Sequence, residues 1–273
     1  MSLFLEMMSF EFMQRAMLAG VIIGLICPLI GIFLVLRRMS MIGDSLSHVA
    51  LSGVAAGMLT GTYPVAMALI FSVAAALAIE RLRESFEEYA EVATAIVLSG
   101  GIGLAVVLIS VAKSFNASLY SYLFGSITTV MPQDIGLIVA LGIAIVFAVA
   151  LLYKEMFYIA FDDNAARLAG VPVKRINLVF IVMIAATITL SMRIVGILLV
   201  SSLMVLPVAA ALQLAKSFKQ AMWLSVLFAQ TSVLIGMVMA YIYELASGGT
   251  IVLVAIAQLL LVLFSKKLQK MRG

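Results

Sequence analysis

Apolar runs of membrane-spanning length recur along the whole chain, and no other feature restricts its fold so severely. Crossing the ~30 Å hydrocarbon core of a bilayer takes about 20 apolar residues in helical form. Backbone polar groups facing lipid at that depth must pair within the segment itself. Nine candidate runs stand at 16–36, 42–60, 64–79, 92–112, 134–153, 176–192, 194–215, 221–243 and 250–265, the two that meet at Arg193 being close enough to reduce the count to eight. With 65% apolar residues, 11% charged residues and a mean hydropathy of +1.24 over 273 residues, the chain has more apolar surface than one soluble core hides. The expected fold class is all-α: a polytopic membrane helical bundle of 8–9 transmembrane helices.

Charge placement predicts the orientation. With the N-terminus outside, fourteen of the 17 basic residues fall in inner loops: Arg37 and Arg38, Arg81 and Arg83, Lys154, Arg167, Lys174 and Arg175, Lys216 and Lys219, then Lys266, Lys267, Lys270 and Arg272. Only Arg15, Lys113 and Arg193 remain outside. An odd number of crossings follows, with the C-terminus in the cytoplasm. Because the net charge of +4 is spread over membrane-flanking loops, nucleic-acid binding is excluded. Glu6, Glu11 and Arg15 precede the first run without a basic leader or cleavage site, so no removable signal peptide is read. One cysteine, Cys27, excludes an intrachain disulfide and a thiolate metal cluster within one chain, and packing is its expected role.

Within the second run, Asp44 and His48 stand four residues apart, and His48 is the sole histidine. On a helix this spacing puts carboxylate and imidazole on one face, able to grip a divalent cation. Counted from Arg38, His48 lies about 15 Å up, near mid-membrane. An ionisable pair at that depth points to a pathway, although such groups also serve as interhelical glue. Glu244 lies about 37 Å from Lys219 if the intervening chain is helical, toward the outer mouth, either recruiting an ion or standing as a solvated loop carboxylate. Ser52, four residues after His48, raises the idea of an intramembrane serine protease. One continuous helix, however, gives nucleophile and base no independent positioning element or oxyanion site.

The inner loop carries a second signal. Asp162 or Asp163 can cap a helical run over Asn164, Ala165, Ala166, Arg167, Leu168 and Ala169, while Gly170 and Pro172 stop it. Such a detached helix is either a handle for a motor subunit or an interfacial connector. The sequence contains no Gly-x-x-x-x-Gly-Lys-Ser/Thr pattern, and the loop from Lys154 to Arg175 is too short for a nucleotide-binding domain. Any ATP chemistry therefore comes from a partner, and the chain is not expected to be an enzyme. Gly20-x-x-x-Gly24, Gly53-x-x-x-Gly57 and the cluster Gly100, Gly101, Gly103 allow close helix approach.

Four segments together carry a family resemblance across nearly the whole chain: Leu36 to His48, Tyr122-Leu123-Phe124-Gly125, Val195-Gly196 to Pro207, and Tyr243-Glu244-Leu245-Ala246-Ser247-Gly248. The chain resembles the permease of bacterial zinc/manganese ABC importers, and more distantly the vitamin B12-type importers. The resemblance implies a single transmembrane permease domain over 1–273, arranged like a type II ABC importer in the cytoplasmic membrane. It implies a permease homodimer, two cytosolic ATPase subunits that hold the ATP, and an extracytoplasmic metal-binding protein. Asp44, His48 and Glu244 become the metal residues, with Glu244 standing where relatives often have Asp. The segment at about 161–173 becomes the ATPase coupling element through Phe161, Asp162, Asp163, Asn164, Arg167, Leu168 and Gly170. No cofactor is permanently bound; the cargo is Zn2+ or Mn2+, with iron a further alternative. The Tyr122 to Thr128 segment is similar to the zinc branch, which favours zinc. An ion-coupled secondary metal carrier is the rival reading, separated from the first by dependence on ATP or on a proton gradient.

Overall fold

Two of the helices open on proline at the first helical position, Pro64 and Pro132, where a missing N–H costs nothing. The computed structural model describes residues 7–86, 89–111 and 117–272, so Glu6, Ala112 and Lys113 of the sequence reading lie outside it. In chain order the helices are α1 (Glu11–Leu36), α2 (Ser40–Thr60), α3 (Pro64–Ser85), α4 (Ala90–Val111), α5 (Ala117–Phe124), α6 (Pro132–Leu151), α7 (Tyr153–Phe161), α8 (Asp163–Leu168), α9 (Val173–Ser191), α10 (Val200–Leu214), α11 (Phe218–Ile242) and α12 (Ser247–Arg272). No strand occurs among the described residues.

Seven of these helices, α1, α3, α4, α6, α9, α11 and α12, are long and apolar enough to cross a membrane. The 21 residues of α2 also suffice, at about 31 Å, despite its polar side chains. With the 15-residue α10 the total is nine, one of them short. The run 194–215 is thus corrected: the helix starts only at Val200, after an irregular stretch that is mostly buried. The span expected over 134–153 is α6, which ends at Leu151; a further helix, α7, begins at Tyr153 and runs through the start of the expected inner loop. Tyr153, Phe157 and Phe161 recur every fourth residue and gather around Phe218, with the Phe157 and Phe218 ring centroids 4.8 Å apart, which holds α7 against the start of α11.

Helix α1 is the pillar of the bundle, packed against α6, α9, α10 and α11. It is apolar all round, the pattern of a buried helix. Small residues set the spacing elsewhere, as their sequence pattern implied. Gly20 and Gly24 lie against Met237 and Gln230 of α11, Gly53 and Gly57 against the first turns of α3, and Gly101 against Val49 of α2.

Opposite the end that carries Arg37, Arg38, Arg81 and Arg83, three chain segments cross backbone to backbone. The Ile197 N–H donates to the Tyr122 carbonyl at 2.8 Å, the Ser126 N–H to the Arg193 carbonyl at 3.1 Å, and the Ser247 hydroxyl to the Ile194 carbonyl at 2.6 Å. Gly196 adopts φ +85°, a conformation that side chains resist. A Cβ on Gly248 would sit 1.7 Å from the Val195 carbonyl oxygen. The crossing gives the irregular stretch backbone partners despite its burial.

A buried ion pair stands beside it. Asp134 caps the start of α6, accepting the Met131 N–H at 2.8 Å, and its carboxylate lies 3.2 Å from Arg193 Nε. The Tyr63 phenol donates to the other carboxylate oxygen, and burial together with that carboxylate pushes its pKa up. The Arg193 guanidinium donates to the Thr129 carbonyl at 3.3 Å and lies 4.5 Å above the Tyr122 ring. Arg193 is therefore not a solvated loop charge as its sequence position suggested; it is 5% exposed because the broken stretch folds inward beneath α5 and α6.

Two outcomes follow. Gly248→Ala is expected to lower the melting temperature in detergent sharply, whereas Gly100→Ala, with nothing within 4 Å of its added Cβ, should leave it unchanged or higher. Equal melting temperatures would remove the crossing from the supports of the fold. Arg193→Met should cost about 3–5 kcal/mol by stranding the Asp134 carboxylate. The Arg193→Met/Asp134→Leu double variant should recover much of that loss; a double variant no more stable than the single would show that charge pairing is not what Arg193 provides.

Candidate functional site

The polar face of α2 is held in place by its own serines. Ser45 Oγ donates to the Thr94 carbonyl of α4 at 3.1 Å, and Ser52 Oγ donates to the Gly101 carbonyl at 2.7 Å. These bonds and the glycine contact fix α2 against α4 and settle which way Asp44 and His48 turn. Ser52 is thereby engaged with α4 rather than with the imidazole, which removes the basis of the protease reading.

Asp44 and His48 lie one turn apart, about 6 and 12 Å along α2 from its start, and both are half-buried. Asp44 Oδ1 accepts a 2.8 Å hydrogen bond from Ser201 Oγ on the first turn of α10. The Gly43 position faces the Ser201 Cβ at 3.6 Å, so the two helices approach closely there. Asp44 thus faces the N-terminal turn of α10. The His48 side chain makes no hydrogen bond among the described residues, which leaves a ring nitrogen available as a ligand. Ser201 lies within the Val195 to Pro207 segment, where the sequence gives it no role; only the fold, by starting α10 at Val200, brings it to Asp44.

Glu244 is placed elsewhere. It follows α11 in the tight turn before α12, at the end of the bundle that holds the backbone crossing, with φ +53° and its side chain exposed. Among the described residues no group of three or more His, Cys, Asp and Glu side chains gathers as a metal shell, so Glu244 does not join the pair. Cys27 is buried in α1, 3.2 Å from the Ser191 hydroxyl.

At the basic end, the two candidate caps of the short helix have separate tasks. Asp162 is the N-cap, accepting the Ala165 N–H at 2.9 Å, while Asp163 pairs with Arg167 at 2.8 Å. Gly170, at φ +82°, closes the helix: its N–H reaches the Arg167 carbonyl and the Val171 N–H reaches that of Ala166. Ala166 is fully buried, whereas Leu168 is 90% and Phe161 65% exposed, with Asn164 exposed between them. The six-residue helix and the end of α7 thus present Leu168 and Phe161 outward beyond the spans.

Comparison with known proteins agrees with this architecture. The ABC 3 transport family matches residues 9–266. A "Probable metal transport system membrane protein" of Treponema pallidum is 40% identical over 257 residues, covering 94% of this chain and 96% of that one. The manganese transport system membrane protein MntC of Listeria monocytogenes is 35% identical, covering 93% and 90%. The structure of PsaBC from Streptococcus pneumoniae in complex with Fab superposes with a TM-score of 0.85 at 29% identity, covering 98% of this chain and 97% of that one. The half-length α10, the capped helix between α6 and α9 and these matches place the chain in the ABC 3 transport family, as the permease of a metal ABC transporter.

Proposed function

We propose that this permease imports divalent transition-metal ions into the cytoplasm by alternating access, driven by ATP hydrolysis on separate subunits, with manganese ahead of zinc as cargo. The observation that carries the reading is the half-buried Asp44 and His48 pair on α2, braced by Ser201. A carboxylate and an imidazole on a spanning helix are too costly to face lipid. Two such ligands fall short of the about four donors zinc takes and the six of an octahedral manganese site. Water and a second copy of the chain complete the shell in our reading, which puts the pair at the axis of a homodimer. The carboxylate and water suit manganese while the imidazole suits zinc or iron; manganese is put first because the Listeria relative is named for manganese transport. The preference for zinc rests on the Tyr122 to Thr128 segment and on the affinity order at an N/O site.

In the same reading the basic end faces the cytoplasm, with the N-terminus outside and the C-terminus inside. An ATPase subunit seats on Leu168 and Phe161, and a metal-binding protein docks at the opposite end, where Glu244 raises the local cation concentration. ATP-driven closure of the motors displaces α7 and α8. The aromatic contacts of Phe157 and Phe161 with Phe218 pass that displacement to α11, which packs on α10 and hence on the Ser201 contact with Asp44. The permease itself makes and breaks no covalent bond.

The test is uptake of radiolabelled manganese, zinc and iron(II) into proteoliposomes holding permease, ATPase, ATP and binding protein. Asp44→Asn and His48→Ala should reduce uptake to background while assembly persists. Ser201→Ala, which removes a bond to a charged group worth about 1.5–3 kcal/mol, should slow uptake ten-fold or more. Glu244→Gln should slow capture only at limiting metal. Undiminished uptake by both ligand variants would end the metal-path assignment, and zinc outrunning manganese at equal loading would reverse the order of cargo.

Coupling has its own test. Reversing Asp162 and Asp163 to lysine removes a cap worth about 0.5–2 kcal/mol and opposes the helix dipole. Leu168→Glu alters only a solvent-exposed contact. Both changes should lower ATPase co-purification and metal-stimulated turnover with the fold intact. Unchanged values for both would remove this segment as the motor's seat.

A further inference from the structure

Between the basic ends of α3 and α9 lies a cavity of about 470 Å³, distinct from the metal pair and built from both helices in the same way. On α3, Leu77 stands one turn above Arg81; on α9, Leu178 stands one turn above Lys174. Each helix therefore sets a leucine about 6 Å deeper in the bundle than a cation. Arg175 adds a third positive charge to the lining. Glu80 is the one carboxylate among the described lining residues, and it lies 3.8 Å from Arg83. Leu77 and Leu178 are 41% and 44% exposed, so the deeper half of the cavity is apolar and open.

We propose that this cleft binds the headgroup of an anionic phospholipid at the membrane surface, with Arg81, Lys174 and Arg175 on the phosphate and the upper acyl chain along Leu77 and Leu178. The order of cations at the interface and leucines one turn deeper is the order of phosphate and acyl chain in a lipid. A free phosphate would need only the cations and would leave the apolar half unused. The volume lies within the about 300–1,000 Å³ of small-molecule sites. Basic pockets between spanning helices at an interface are where anionic headgroups seat. A second cavity of about 280 Å³ shares Lys174 and Arg175 but opens beside Arg167 and Pro172, on the side of the capped helix. In the proposed function the motor subunit seats on that face, whereas Leu77 and Leu178 lie one turn into the spans. The inference requires membrane insertion but is independent of the cargo, so a failed metal assignment leaves it standing.

The experiment is native mass spectrometry of the full-length permease in detergent, titrated with phosphatidylglycerol or phosphatidylcholine. Wild type should retain phosphatidylglycerol in preference, and Arg81→Gln/Arg175→Gln should weaken that retention about ten-fold or more, given the contribution of each basic residue near the surface. Ala78→Trp keeps every charge but fills the cleft, and should weaken retention as well; Arg167→Gln should not. Monodisperse elution of each variant verifies its fold. Equal retention of the two lipids, or retention unaffected by both the charge and the filling variants, would overturn the proposal. So would displacement of the lipid by excess inorganic phosphate, which would identify a phosphate site, or by added ATPase subunit, which would assign the face to that partner.

Discussion

The rest of the bundle depends on one steric fact: the backbones of three segments distant in sequence occupy adjoining space at Gly125, Gly196 and Gly248. Side chains would push these segments apart. Their contact converts what would be a full-length ninth span into a buried irregular stretch followed by a short helix. The short helix in turn starts beside Asp44 instead of passing it. Three of the four segments that carry the family resemblance meet here, which gives those residues a structural reason to occur together.

The Asp44–His48 pair, proposed as the metal path, and the Asp134–Arg193 pair use similar groups in opposite ways. Asp134 is enclosed and neutralised, with Arg193, Tyr63 and a backbone N–H around it. Asp44 receives one hydroxyl and remains half-buried beside an imidazole. The first arrangement uses up the carboxylate's capacity to bind anything else, and the second leaves capacity to spare. Burial of a charge alone therefore does not distinguish the two sites; unused ligand capacity does, and the proposed metal path rests on it.

Much of this was legible in the residues. Run lengths placed the spans, with most ends within three positions and some off by five to seven, the four-residue spacing put Asp44 and His48 on one face, and Asp162 and Gly170 bounded a helix by their capping chemistry. Other features were hidden because they depend on distant partners. Arg193 reads as a loop charge until Asp134, far earlier in the chain, is seen to meet it. Ser201 gains its role only from the break at Gly196. The helical form of α7 is not visible in the charges, which open the inner loop at Lys154, although the aromatic repeat at Tyr153, Phe157 and Phe161 marks it. Glu244 reads as a mouth residue in the sequence and is found exposed in a turn at the end of the bundle opposite the basic residues.

The capped helix α8 has a mechanical consequence. Six residues make too little helix to hold shape alone, yet Asp162, the Asp163–Arg167 pair and Gly170 close both ends of it. Bending is thereby confined to two pivots, extended backbone at Asp162 and left-handed backbone at Gly170. If a motor subunit seats on Leu168 as proposed, its push reaches buried Ala166 and the aromatic cluster through an element closed at both ends. The stroke passed to the spans would then be set by the swing at Asp162 and Gly170, a quantity that backbone conformation rather than side-chain reach controls.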